Sequence, residues 1–307
     1  MSAIDFRELM RLEKRRMRMQ KSNSPPSKSK DLNGVNNDTV ESTHSVDTIE
    51  KFSDNLLGND GKTRPLHKDI LDDQLSKVLE NSQVGAEVLR DVFYIEKLLC
   101  PNFERKLTQW LKSLPTINNN ERNVTSTGGI VKYHGKWKRL DFARRSVAMF
   151  DFRVVKEIPP LLQVLIDMLL RIKAFPGTHP PNHVLVNEYQ DQEGIMAHTD
   201  GPMYLDRTAT FSIAGGDVLF NFTKRKPDDG VDDDSNNDVM QLKLHGNGSL
   251  VVFTDDAYTN HCHSINDRIH NSVEYASCKC VNAVEGEQIQ RGHRLSLTFR
   301  HKFEEAI

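Results

Sequence analysis

From His183 to Arg300 the apolar residues come in short runs: His183–Tyr189, Thr208–Ile213, Val218–Phe222, Met240–Leu244, Leu250–Thr254 and Leu295–Arg300. Each run is five to seven residues long, and Gly, Asn and Asp separate them. Runs this short match strands bounded by turns better than helices. Several strands in succession bury their apolar faces only by closing on one another, in a sandwich or a barrel. This half of the chain dictates the fold.

Upstream the period changes. Val92-Phe93-Tyr94-Ile95 reads as one more strand. Pro101 stands where a first helical turn tolerates it, and Phe103, Leu107, Trp110, Leu111 and Leu114 follow at helical spacing. A second helix opens at Pro159-Pro160 with an apolar face of Leu162, Leu165, Ile166, Leu169 and Leu170, and is expected to end at Pro176-Gly177. Helices first and strands afterwards indicate an α+β class. Residues 21–63 hold only eight apolar side chains against 13 Ser or Asn. That surface cannot offset chain entropy, so 21–85 is expected to be a disordered linker ahead of a folded domain at 86–303. Residues 1–20 carry six basic side chains against three acids and read as a short basic helix, either solvated or able to touch phosphate. Lys224 to Asp238 holds six Asp and no aromatic residue, and reads as an acidic solvated loop within the domain (224–238).

Basic and acidic residues nearly balance, 41 against 43, which excludes a bulk polycation that coats nucleic acid through net charge. Four cysteines are too few for a disulfide scaffold of this length and fit a reducing compartment, cytoplasm or nucleus. A chain charged from Asp5 onward, with no stretch of ~18 apolar residues, predicts neither a secretory signal nor a membrane span.

The chemistry concentrates in the strand-rich half. His198-Thr199-Asp200 is an H-x-D, and a spacing of two on a strand puts both side chains on one face. A second H-x-D, His67-Lys68-Asp69, sits at the edge of the expected linker and lacks a strand. Two His and one carboxylate would complete a facial triad that leaves iron positions open for a bidentate cosubstrate and oxygen. His261-Cys262-His263 follows the strand Leu250–Thr254 and offers two histidines on one face, between which periodicity cannot choose. In the last run, Leu295, Leu297 and Phe299 face one side, and Arg294, Ser296, Thr298 and Arg300 the other. Two arginines on an interior face call for an anion, and a dicarboxylate suits a guanidinium fork. Arg300 could instead pair with Glu304 or Glu305. Asn187 and Tyr189 share a strand face and can both donate to carboxylate oxygens, although Tyr189 could equally be a core aromatic.

N-x-Y, H-x-D, a later His and R-x-x-x-x-x-R in this order resemble the AlkB family of Fe(II)/2-oxoglutarate dioxygenases. Within it the chain is most similar to the homologue-six branch, through Asn182-His183-Val184-Leu185-Val186-Asn187-Glu188-Tyr189, Glu193-Gly194-Ile195-Met196-Ala197-His198-Thr199-Asp200-Gly201-Pro202 and Ala257-Tyr258-Thr259. The resemblance covers about residues 90 to 302 and implies a double-stranded β-helix (jelly-roll) core with iron at one mouth. It implies His198, Asp200 and His263 as the iron ligands, His263 being preferred because a small residue and Ile follow it. It also implies Asn187, Tyr189, Arg294 and Arg300 as 2-oxoglutarate contacts.

Expected cofactors are therefore Fe(II), 2-oxoglutarate as cosubstrate and molecular oxygen. The expected reaction is oxidative demethylation of alkylated DNA or RNA, yielding succinate, CO2 and formaldehyde. A protein or small-molecule substrate is the alternative, and a metal-binding jelly roll without turnover is another. Trp137 to Arg145 corresponds to the family's substrate lid, where Trp could stack on a base and Arg144 and Arg145 could meet phosphate. The polar insertion Asn266–Gln290 departs from simpler members. Its Cys278 and Cys280 read as surface thiols, with a zinc site shared with Cys262 as the lesser reading.

Overall fold

The computed structural model describes residues 77–117, 134–140, 143–225, 238–266, 280–289 and 291–304. The basic N-terminal segment, most of the linker, the decoy His67-Lys68-Asp69, most of the acidic loop and Cys278 lie outside them. The strands are β1 (Val92–Ile95), β2 (Lys138–Leu140), β3 (Arg145–Asp151), β4 (His183–Tyr189), β5 (Ile195–His198), β6 (Arg207–Ile213), β7 (Val218–Lys224), β8 (Asp238–Leu244), β9 (Ser249–Thr254), β10 (His261–Ile265) and β11 (Arg294–Arg300). The helices are α1 (Pro101–Lys112), α2 (Pro160–Arg171) and α3 (Asp255–Thr259). The strands form two antiparallel sheets, in the orders β1-β9-β6-β11-β4-β3-β2 and β5-β10-β7-β8. This is the expected jelly-roll core.

Alternation along the strands sorts the side chains into layers. Val184, Val186, Phe211, Leu295, Leu297 and Phe299 point out of the large sheet and join Phe103, Leu107 and Leu111 of α1 and Leu162, Leu165 and Leu169 of α2 in one core. Toward the small sheet, Val251 and Phe253 meet Phe220, Phe222, Met240, Leu242 and Leu244. Elsewhere the inner face of the large sheet is polar yet buried: Asn187, Thr208, Thr210, Ser212, Arg294, Ser296, Thr298 and Arg300. Burying that many polar groups is costly unless they serve a ligand or one another.

Helix α1 begins as the sequence predicts: the Cys100 sulfur caps it, accepting from Phe103 N at 3.4 Å, and Pro101 opens the first turn. Helix α2 stops at Arg171, well before Pro176-Gly177. Lys173 takes the left-handed conformation (φ 60), and Ile172, Ala174 and Phe175 turn back into the core, which ends the helix before any proline is needed.

The folded region also starts earlier than the predicted boundary at 86. Leu79 is buried in the large core, and Ser82 and Val84 exchange backbone hydrogen bonds with β1 (Tyr94 N to Ser82 O, 2.8 Å; Val84 N to Val92 O, 2.9 Å). Gly85 is left-handed there (φ +60), and a Cβ would lie 2.6 Å from Met240 Sδ, so the turn into β1 requires glycine.

The end of the insertion returns along the edge strand β8. Val281 N donates to Gln241 O (3.0 Å), and the Asn282 amide brackets the Lys243 backbone. Cys280 is consequently buried beside Ile289, not a surface thiol, and its pKa is raised by that burial. Among the described residues no metal-ligating group includes Cys262 or Cys280. No described helix is long and apolar enough to cross a membrane.

Candidate metal centre

Strand pairing creates the centre. His198 ends β5 and stands opposite His263 on β10, with ring centroids 4.2 Å apart. Asp200 lies just beyond the strand, not on it as the two-residue spacing suggested, but its carboxylate still reaches the same place. Ligand atoms of His198, Asp200 and His263 all lie within 4.8 Å of one another. His261, the other candidate, faces Lys224 on β7, and its Nδ1 sits 3.0 Å from Asp256 O. Register sets His263, and not His261, beside His198.

Each member of the trio is held by neighbours. His198 Nδ1 lies 2.7 Å from Met196 O, so Nδ1–H donates to that carbonyl and Nε2 keeps its lone pair for a metal. His263 stacks on Phe220 (5.6 Å, 26°) and leans on Phe253. Asp200 accepts from Thr208 Oγ1 and from Arg300 Nη2, both at 2.5 Å. Arg300 thus pairs with an iron-ligand candidate rather than with Glu304. Tyr258 donates to Gly201 O (2.9 Å) and fixes the turn that carries Asp200.

Charge states suit a metal. Burial, reinforced by His263, pushes the His198 pKa down to about 3, so the ring is neutral at pH 7. Burial alone would raise the Asp200 pKa, but Arg300, His263 and His198 outweigh it and hold the carboxyl well below the usual range. A neutral imidazole beside an ionised carboxylate is the form that binds a divalent cation.

Behind the trio, Arg294 is buried over the Tyr189 ring, its guanidinium 5.3 Å from the ring centroid. Nη2 donates to Ser212 Oγ (2.9 Å), whereas Nε and Nη1 are buried with no hydrogen-bond partner. Burial lowers its pKa. A guanidinium kept in such a place is a socket for a carboxylate. The predicted Asn187, Tyr189, Arg294 and Arg300 all reach this inner face.

Trp137 and Arg145 do not stand where the lid reading expects them. Trp137 is buried, with its indole N–H donating to Leu111 O (2.8 Å), so it is a core aromatic and no base platform. Arg145 opens β3 with 4% exposure and donates from Nε to Asn187 Oδ1 (3.1 Å). Arg139 and Arg144 are the exposed arginines among the described residues of this segment, and Arg139 is paired with Glu193 (2.6 Å). Thr208, which donates to Asp200, and Tyr258, which fixes the Gly201 turn, were not among the site residues expected from the sequence, and Arg145 was expected at the substrate rather than on Asn187. Thr208 carried a signal, since it opens a strand run whose alternate positions are hydroxyls.

A family model for the 2OG-Fe(II) oxygenase superfamily matches residues 97–300, more than half of the chain. The chain belongs to the 2OG-Fe(II) oxygenase superfamily. Fe(II), 2-oxoglutarate and molecular oxygen are the cofactors of this superfamily, and the trio and Arg294 fit the first two. The resemblance to the AlkB family is met by a relative: the chain is 31% identical over 154 residues to the "Probable RNA/DNA demethylase ALKBH6" of Danio rerio, covering 48% of this chain and 64% of that protein. The chain thus spans just under two-thirds of that relative's length. It is also 24% identical over 224 residues to an uncharacterized protein, L905, of Acanthamoeba polyphaga mimivirus, covering 72% of this chain and 90% of that one. Among solved structures, that of OsALKBH1 aligns over 69% of this chain and 99% of its own, with 16% identity and a TM-score of 0.42.

The buried histidines give the metal-free protein a defined acid response. His198 and His183 both have pKa values lowered by burial, His183 also by Arg300. Between roughly pH 6.5, where an unfolded histidine titrates, and the folded values, the unfolded state binds more protons. Stability therefore falls as pH drops below ~6.5, by about 1.4 kcal/mol per pH unit for each proton. The depressed carboxyls of Asp200 and Asp151 add to the loss below about pH 4. Thermal melts of the apo protein between pH 7.5 and 5 are expected to fall from about pH 6.5, and His183→Asn to flatten the slope. A melting temperature independent of pH would contradict this assignment.

Proposed function

We propose that the chain is a 2-oxoglutarate-dependent dioxygenase that oxidatively demethylates alkylated DNA or RNA, releasing succinate, CO2 and formaldehyde. One observation carries the reading: two imidazoles and a carboxylate converge on the same inner face as a buried guanidinium with two unpaired donors. A metal-binding barrel without turnover has no use for that guanidinium.

In this reading His198, Asp200 and His263 hold the metal, and open positions remain for cosubstrate and oxygen. Bound there, Fe(II) would use molecular oxygen, with 2-oxoglutarate as the co-reductant oxidised to succinate and CO2, to hydroxylate an N-methyl carbon. The side chains supply position and exclusion of water. Arg294 grips the far carboxylate of 2-oxoglutarate, and Asn187 and Tyr189 donate to its oxygens. Arg300 holds the Asp200 carboxylate in place and keeps its buried Nε for the near carboxylate. Phe220 and Phe253 back His263 and keep that side dry.

Support for a nucleic-acid substrate comes from the similarity to the probable RNA/DNA demethylase of Danio rerio and from the exposed Arg144 next to the site strand. A duplex target would be flipped out of its stack to reach a site this enclosed. The working compartment in this reading is cytoplasm or nucleus. Incubation with Fe(II), 2-oxoglutarate and N-methylated DNA or RNA oligonucleotides is the test, read by mass spectrometry and succinate release. One methyl lost per succinate formed is expected. Succinate without loss of methyl would move the substrate to a protein or small molecule, and no succinate would contradict the dioxygenase reading.

A further inference from the structure

Arg145 is a third buried arginine on the inner face, and neither the iron ligands nor the guanidinium socket accounts for it. It opens β3, which runs antiparallel to β4 with Val147 opposite Asn187. Two residues before Val147, its side chain shares the inner face with Asn187. Nε donates to Asn187 Oδ1 at 3.1 Å, with Arg145 4% and Asn187 3% exposed. Its charge is also felt at His198, where it disfavours protonation.

The chemistry of this bond is one-sided. A guanidinium has donors and no acceptor, whereas an asparagine amide presents an acceptor at one end and donors at the other. Arg145 can therefore meet only Oδ1, since a flipped amide would set N–H against N–H in a place with little water to relieve it. The bond thus fixes which end of Asn187 is left over. That end is Nδ2, a donor.

We propose that Arg145 is a positioning residue for 2-oxoglutarate: it locks the Asn187 amide so that Nδ2 is presented to an oxygen of the cosubstrate. This rests on the reading that 2-oxoglutarate binds beside Asn187 and Arg294. It replaces the expected role of Arg145 in gripping substrate phosphate.

Calorimetric titration of 2-oxoglutarate into the Mn(II)-loaded full chain, where no turnover occurs, tests it. Arg145→Met is expected to weaken 2-oxoglutarate binding about tenfold, the worth of roughly one such bond, with Mn(II) affinity unchanged. In an Asn187→Ala background the same change is expected to have less than about a twofold effect, because no amide is left to orient. Arg145→Lys, a donor-only cation, is expected to recover most of the affinity, whereas Arg145→Gln, which can pair with the amide either way round, is not. If Arg145→Met fails to fold, the Lys and Gln variants carry the test, and equal affinity in those two would overturn the proposal. Effects of Arg145 and Asn187 that simply multiply would also overturn it. Absence of 2-oxoglutarate binding by the unaltered chain would instead overturn the functional reading, and this proposal with it.

Discussion

Replacing Arg294 by Ala is expected to weaken 2-oxoglutarate binding by about 100-fold or more while leaving Fe(II) affinity intact. Truncating one partner of a buried, hydrogen-bonded charge pair costs ~2–5 kcal/mol, and each 1.4 kcal/mol is a factor of ten. Arg294 sits at the upper end of that range because its surroundings offer so little else: Ser212 Oγ satisfies Nη2, the Tyr189 ring lies under the guanidinium, and Nε and Nη1 have no partner. The same fact predicts an opposite effect on stability. The ligand-free protein bears the cost of a desolvated cation, visible in the lowered Arg294 pKa. Arg294→Met, which fills similar volume without charge, should therefore raise the melting temperature of the apo protein and abolish the further rise on adding 2-oxoglutarate. Melts with and without the cosubstrate read both effects. Unchanged 2-oxoglutarate stabilisation in the variant would remove Arg294 from its role.

The second large effect separates two histidines that the sequence cannot tell apart. His263→Ala is expected to lower iron affinity by about 100-fold or more, beyond the 10–100-fold typical of losing an outer-shell partner. His261→Ala should leave affinity within about that outer-shell range or better. Both are buried on β10 and two residues apart, so exposure and periodicity give them equal standing. What differs is the strand opposite. His263 pairs with His198 across β5, whereas His261 meets β7 and is tied to Asp256 of α3. Equilibrium dialysis with Fe(II) under anaerobic conditions distinguishes them. Loss of iron in the His261 variant with retention in the His263 variant would mean that the centre is assembled differently.

Much of the core was legible because strand alternation is a local property. The inner face Arg294-Ser296-Thr298-Arg300 follows from β11 alone, and its partners Asn187 and Tyr189 follow from β4. What could not be read depends on which strands become neighbours. Nothing near Arg300 in the sequence announces Asp200, a hundred residues away, and Glu304 looked as good a partner until the fold brought the carboxylate in. Strand β3 was hidden because Arg145-Ser146 begins it with polar residues and Trp137–Arg145 before it is dense in charge. Its inward arginine makes sense only once β4 lies alongside. The early start of the fold was missed because Glu80, Asn81, Ser82 and Gln83 look like linker. Backbone pairing to β1 holds that segment together with the apolar anchors Val78, Leu79 and Val84, and composition does not register the pairing. Cys280 misled for a related reason, since its burial comes from the insertion folding back on β8.

The central claim is that one iron and one 2-oxoglutarate share the inner face between the two sheets. Anomalous diffraction at the iron edge, from crystals grown without oxygen in Fe(II) and 2-oxoglutarate, tests it most directly. The account predicts a single strong peak bounded by His198, Asp200 and His263, with the far carboxylate of 2-oxoglutarate on Arg294. Iron bound elsewhere, or 2-oxoglutarate lying away from Arg294, would contradict it.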